Sequence, residues 1–152
     1  MVMTRRMVLG ACVVGMSARA IGASGPAWGQ GAEKPFMKVE FAFSGQVFTA
    51  TLLDNPTTRD FVSMLPLTLK IDDYSTNEKI AYLPRKLTEA GSGIFGNEAP
   101  GDIAYFAPWG NLVFYYADYH YWPGLIRLGR LDGGITPLLT RGQFPLTATL
   151  AG

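Results

Sequence analysis

The chain has 152 residues, 48% of them hydrophobic and 16% charged, which is ample apolar material for one packed core and too little charge for disorder. Thirteen Lys and Arg stand against twelve Asp and Glu, but Arg5, Arg6 and Arg19 precede residue 30 and every acid follows it, leaving ten basic against twelve acidic groups, a net of about −2. Such a balance excludes a basic footprint for a phosphate backbone, so nucleic acid is not an expected partner.

Residues 1–30 read as an export signal and stand outside the fold. Thr4-Arg5-Arg6-Met7-Val8-Leu9 follows the twin-arginine pattern of a polar residue, two arginines, any residue and two apolar ones. The apolar run 7–18 has the length of a signal core and is too short to span a bilayer as a helix. Small residues at Ala27-Trp28-Gly29, before Gln30, offer a cleavage point. Leu9-Gly10-Ala11-Cys12 also resembles a lipobox, although it lies too close to Arg6 for a normal apolar core. An uncleaved anchor or a misassigned start codon would also account for such a segment. Twin-arginine export implies a domain that folds before crossing the membrane, periplasmic or secreted, with no membrane attachment after cleavage. Cys12 is the only cysteine and falls in this segment, so the exported part would carry no thiol or disulfide. With His120 as the only histidine, zinc sites built on His and Cys are excluded, and no cofactor is expected.

A linker over residues 31–36 leads into a β domain over residues 37–151. Val39, Phe41 and Phe43 alternate with Lys38, Glu40 and Ala42, Ser44-Gly45 signals a tight turn, and Phe48, Ala50 and Leu52 continue on one face of a second strand. Asn55 can cap a helix that begins at Pro56, since proline lacks the N–H that would be unpaired there. Phe61, Met64 and Leu65 share a face of this helix, which stops at Pro66. Leu67, Leu69 and Ile71 resume strand alternation, and Asp72-Asp73-Tyr74-Ser75 reads as a polar break. Residues 80–83 form a short apolar run. Four glycines and a proline make 88–101 a loop. Two aromatic strands, 103–107 and 112–116, flank Pro108-Trp109-Gly110-Asn111, and another strand covers 125–131 before the turn Asp132-Gly133-Gly134. Finally Phe144, Leu146, Ala148 and Leu150 alternate with Pro145, Thr147 and Thr149. A last strand with one apolar face needs a partner, and pairing with the first strand would close the sheet and remove its edges.

Five segments in this order resemble one family. They are Asp54-Asn55-Pro56-Thr57, Lys79-Ile80-Ala81-Tyr82-Leu83-Pro84, Gly101-Asp102-Ile103-Ala104-Tyr105, Ala107-Pro108-Trp109-Gly110-Asn111-Leu112 and Leu128-Gly129-Arg130-Leu131-Asp132. Over roughly residues 37–150 the chain resembles the small bacterial cyclophilin-like domain proteins. That resemblance implies a mostly-β fold: a closed eight-stranded barrel with one short α-helix and a short helical turn. It does not imply prolyl isomerisation. The isomerase proper relies on an arginine followed by a phenylalanine-rich glutamine motif, whereas the glutamines after residue 30 here are Gln46 and Gln143, in a strand start and a late loop. Such domains often accompany flavodoxin-like proteins, which points to an exported redox partner.

The chain is rich in rings with a polar tip: Tyr82, Tyr105, Trp109, Tyr116, Tyr119, His120, Tyr121 and Trp122. Such rings suit pocket walls because each combines apolar area with a placed hydrogen bond. The candidate ligand site is therefore a cleft on the outer face of the barrel drawn from Tyr82, Arg85, Tyr105, Trp109, Tyr116 and His120, the alternative being that the rings pack the barrel and its loops. Arg85 can clamp an anion or pair with a nearby acid such as Asp73 or Glu78. Histidine is the residue type whose ordinary charge change lies near neutrality, so His120 suits acid–base work, or simply sits in an exposed turn. Asp102 reads as a turn residue bonding to backbone. Asp72 and Asp73, adjacent in a strand, would point to opposite faces and build no metal cage. The expected function is a non-catalytic binding module for a small molecule or peptide segment. Two rival readings stand beside it: a divergent prolyl isomerase using Arg85, and an accessory subunit of an exported redox enzyme.

Overall fold

The computed structural model describes residues 34–152; the segment read as an export signal, with Arg5, Arg6 and Cys12, and the start of the stretch read as linker lie outside the described residues. Eight strands close into an antiparallel barrel: β1 (Pro35–Phe43), β2 (Gln46–Leu53), β3 (Leu67–Tyr74), β4 (Glu78–Tyr82), β5 (Asp102–Phe106), β6 (Asn111–Tyr115), β7 (Leu125–Leu131) and β8 (Phe144–Leu150). Around the barrel the order is β1-β2-β7-β5-β6-β4-β3-β8. The helix α1 (Pro56–Val62) and a 3₁₀ turn (Thr136–Leu139) complete the elements among the described residues. The first strand starts at Pro35, inside the segment read as linker.

Closure works as the end strands require. Val39 faces Leu150 and Phe41 faces Ala148 across the β1–β8 seam, so neither edge is left open. Val39, Phe41, Ala50, Leu52, Ile71, Leu112, Phe114, Ile126, Leu128 and Leu146 fill the interior at 2% exposure or less. Phe41 packs edge-on to Phe114 at 5.2 Å between ring centres and stacks with Phe48 at 5.6 Å. Burial of each large side chain stabilises the barrel by about 1.5–3 kcal/mol before entropy is counted. Ser44 and Gly45 both take positive φ, 50° and 73°, the turn whose twist matches that of β1 and β2.

Asn55 caps α1 as the sequence indicates, its side chain accepting from the Thr58 N–H at 2.8 Å, with Pro56 in the first turn. The helix ends at Val62, earlier than the apolar spacing suggests. Met64 and Leu65 reach the core from a final turn closed by bonds to Phe61 and Val62 carbonyls. The polar break expected at 72–75 is instead strand as far as Tyr74. Asp73 sits opposite Lys79, a fully buried lysine whose Nζ reaches the Asp73 carboxylate at 2.7 Å, so the ladder tolerates the acid. Asp72 turns away and accepts from Gln143, in keeping with adjacent carboxylates on opposite faces.

The pairing of β5 with β7 slips between Ile103 and Ala104: Ile103 faces Gly129 and Ala104 faces Arg127, leaving Leu128 as an extra residue. This bulge brings Arg127 and Arg130, three positions apart, to the same carboxylate, Asp102. Gly129 also pairs with Leu52, and a Cβ there would stand 2.3 Å from the Thr51 carbonyl oxygen and 2.8 Å from Leu52 Cα, so only glycine fits.

Candidate functional site

Outside the sector formed by β7, β5, β6 and β4 lies a second buried cluster of Ala104, Val113, Tyr115, Tyr119 and Leu125, with Phe95, Phe106 and Tyr121 packed against it. A cavity of about 510 Å³ opens beside this cluster. Glu78, Val113, Tyr115, Phe106 and Leu125 contribute from the four strands. Tyr74 and Asn77 enter from the β3–β4 hairpin, Trp109 from the β5–β6 turn, and Asp118, Tyr119, His120 and Trp122 from the β6–β7 loop.

Three large rings stay exposed around this cavity: Tyr74 at 43%, Trp109 at 46% and Trp122 at 67%. The turn at 107–110 positions Trp109, with the Gly110 N–H donating to the Phe106 carbonyl at 2.8 Å. The Trp109 indole meets Tyr74 edge-on at 5.3 Å and 90°, and Phe106 at 5.5 Å and 75°. Exposed rings clustered around one concavity mark a recognition surface more often than chance does.

Behind them runs a polar chain. Glu78 and Tyr115 face each other across β4 and β6, and the Tyr115 hydroxyl donates to the Glu78 carboxylate. Burial pushes Glu78 above the usual carboxylate range, the Tyr115 hydrogen bond opposing it. The Tyr115 ring stacks on Tyr119 at 3.6 Å and 2°, and the Tyr119 hydroxyl donates to Asp102 at 2.7 Å. Burial first, then the neighbouring carboxylates, raise both phenols, so they act as neutral donors across the working pH range. Asp102 is fully buried and does more than make the turn bond to backbone that its place suggests. It also accepts from Arg130 Nε at 2.7 Å and the Ala99 N–H at 3.1 Å, with Arg127 Nε at 3.7 Å. Arg127 in turn donates to the Gly96 carbonyl and lies over the Phe95 ring at 4.3 Å, pinning the 88–101 loop.

Of the six candidates from the sequence, the structure brings two, Trp109 and His120, to this cavity. Tyr105 is a correction: its position in β5 points it into the barrel, where it is 1% exposed and its hydroxyl accepts from the Leu87 N–H at 3.0 Å. Tyr116 likewise packs partly against the interior cluster and bonds to Arg141 at 3.2 Å. Tyr82 lines a separate cavity of about 340 Å³ with Lys70, Asp72, Ile80 and Gln143. Arg85 pairs with Asp60 on α1 at 2.7 Å, rather than with Asp73 or Glu78, and does not line the cleft. That hydrogen bond holds Asp60 below the usual carboxylate range and raises Arg85. His120 is fully exposed, its Nδ1 4.0 Å from Glu98. Tyr74, Glu78 and Tyr115 were not among the sequence candidates, although Tyr115 shares strand parity with Val113 and so could have been placed on the outer face. Among the described residues no group of His, Cys, Asp or Glu could hold a metal ion, and no helix is long and apolar enough to cross a membrane.

A closed antiparallel barrel of eight strands, with a ring-lined cleft outside one sector, is a domain of cyclophilin-like architecture. The profile described as the cyclophilin-like family matches residues 41–149, and the chain belongs to that family. Among solved structures, the hypothetical protein AF2241 from Archaeoglobus fulgidus shares the fold, with a TM-score of 0.53 at 14% identity over 76% of this chain and 95% of that one. No curated protein matches the sequence.

Proposed function

We propose that the chain is an exported, non-catalytic binding module that holds a small molecule or a peptide segment in the outer cleft. One observation carries this reading: three large rings from three separate segments stay exposed around a single cavity of about 510 Å³. That volume falls within the common range for ligand pockets, about 300–1,000 Å³. The phenols behind the rings are locked as donors to Glu78 and Asp102, which suits a rigid, pre-formed wall. Arg85, the group a divergent isomerase would use, is engaged by Asp60 away from the rings. Export is supported by the twin-arginine pattern at Arg5 and Arg6.

Native mass spectrometry of the protein purified from its own cells tests both parts. The expected spectrum shows a chain cleaved within the first 30 residues, carrying an adduct that Trp109→Ala or Trp122→Ala removes without lowering Tm. A bare, full-length mass for the unsubstituted protein would refute it. Replacing Arg5 and Arg6 by lysine is expected to abolish cleavage.

A further inference from the structure

We infer that the outer cleft takes its ligand by a cationic group, an ammonium or guanidinium set against Glu78 and the faces of Trp109, Tyr74 and Trp122. This inference rests on the binding reading above and narrows it to a ligand class.

Several acids elsewhere in the domain are matched with cations. Asp60 has Arg85, Asp73 has Lys79, Asp132 has Lys38 at 3.3 Å, and Asp102 has Arg127 and Arg130. Glu78 is half-buried beneath the cleft and, among the described residues, forms no ion pair; a neutral phenol, Tyr115, is the donor it receives. An ionised carboxylate offers about four acceptor sites, so one hydrogen bond leaves most of that capacity facing the cavity. A half-buried charge without a counter-charge is costly, and a cationic ligand would supply the missing partner.

The cleft is polarised in the same sense. Its lining holds two carboxylates, Glu78 and Asp118, no lysine and no arginine; the one basic side chain is His120, fully exposed at the rim and 4.0 Å from Glu98. Nearby guanidinium groups are drawn elsewhere, Arg127 and Arg130 to Asp102 and Arg141 to Asp73 and Tyr116. The aromatic walls add to this polarity. Tyr74 and Trp109 stand perpendicular to each other in the lining that Glu78 shares, and the ring faces they leave free can attract a cation.

The test uses the purified full chain and ligands of matched shape and different charge. Choline and n-butylammonium are the cations, 3,3-dimethyl-1-butanol the neutral counterpart, and 3,3-dimethylbutanoate the anion. Titrations follow the indole N–H resonances of Trp109 and Trp122. The expected result is that at least one cation binds about tenfold more tightly than the alcohol, with the anion weakest. Glu78→Gln is expected to lower cation affinity about tenfold and leave the alcohol unchanged, and Trp109→Ala to weaken all of them. An acetyl-Gly-Lys-Gly amide separates the two sources of such a group. Tighter binding than n-butylammonium assigns a peptide side chain, weaker binding a free amine, and either ranking fits the inference. If the alcohol or the anion binds as tightly as both cations, or if Glu78→Gln leaves cation affinity intact, the cation inference falls while the binding reading stands. If no probe moves either indole even at tens of millimolar, both fall.

Discussion

Removing the Asp102 carboxylate should be among the most damaging changes available outside the barrel interior. Asp102→Ala deletes two 2.7 Å hydrogen bonds, from the Tyr119 hydroxyl and Arg130 Nε, and one from the Ala99 N–H. It also takes the anion away from Arg127, which is 3% exposed and keeps the Gly96 carbonyl and the Phe95 ring. Stripping one partner from a buried ion pair typically costs about 3–5 kcal/mol. Against a total stability of about 5–15 kcal/mol for a small domain, that is a large share, equivalent to a drop in Tm of about 10–20 °C. Asp102→Asn keeps the volume and one acceptor but turns an amide N–H toward existing donors, so it should recover only part of the loss. Urea unfolding followed by fluorescence and circular dichroism measures both variants. A cycle with Tyr119→Phe should give a coupling of about 0.5–3 kcal/mol. A loss below about 1 kcal/mol for Asp102→Ala would refute the claim that this carboxylate ties the β7 arginines and the β6–β7 loop together.

Gly129→Ala should destabilise the barrel by about 1–3 kcal/mol or more, because the added methyl meets backbone atoms of β2 that have no free rotation; a wild-type urea midpoint would contradict the close approach at the bulge. Glu78 gives a pH signature. Its folded-state value is raised, so its favourable contribution is complete below the unfolded value and is lost as pH rises through the folded one. Glu78→Gln removes that loss, and its Tm relative to wild type should therefore climb as pH rises from about 4 upward, above the ordinary carboxylate value. A constant offset between the two Tm curves would show that Glu78 is not held in a desolvated place.

Most of the barrel was legible because its strands obey a period of two and its ends need partners. The hairpin at Ser44-Gly45, the Asn55 cap, the loop at 88–101, the strand at Leu125–Leu131 and the β1–β8 seam all follow from local chemistry. What misled was a polar residue with a distant partner. Asp73 looks like a break until Lys79 is seen opposite it, and Asp102, which does make its turn bond with the Ala99 N–H, gives no sign of the two arginines that reach it from β7 through a bulge. Neither the opposing residue in a hairpin of unknown register nor the placement of a bulge can be read from a run of letters.

The candidate cleft was half legible for a related reason. In strands, parity decides which wall a ring joins, so Tyr105 and Tyr115, equally aromatic to the eye, go to opposite sides of the same sheet. A usable clue lay in β5 and β6 themselves. Asp102–Phe106 and Asn111–Tyr115 are almost wholly buried, whereas β8 alternates between buried and exposed over Leu146–Thr149, with Leu150 exposed at the strand end. A strand with no wet side must be covered on both faces. Here the interior covers one face, and rings from the β6–β7 loop and Phe95 of the 88–101 loop cover the other. Where that outer cover stops, Tyr74, Trp109 and Trp122 remain exposed over Glu78. The cleft is thus the uncovered remainder of a second apolar layer, and its position follows from the length of the loops that build the rest.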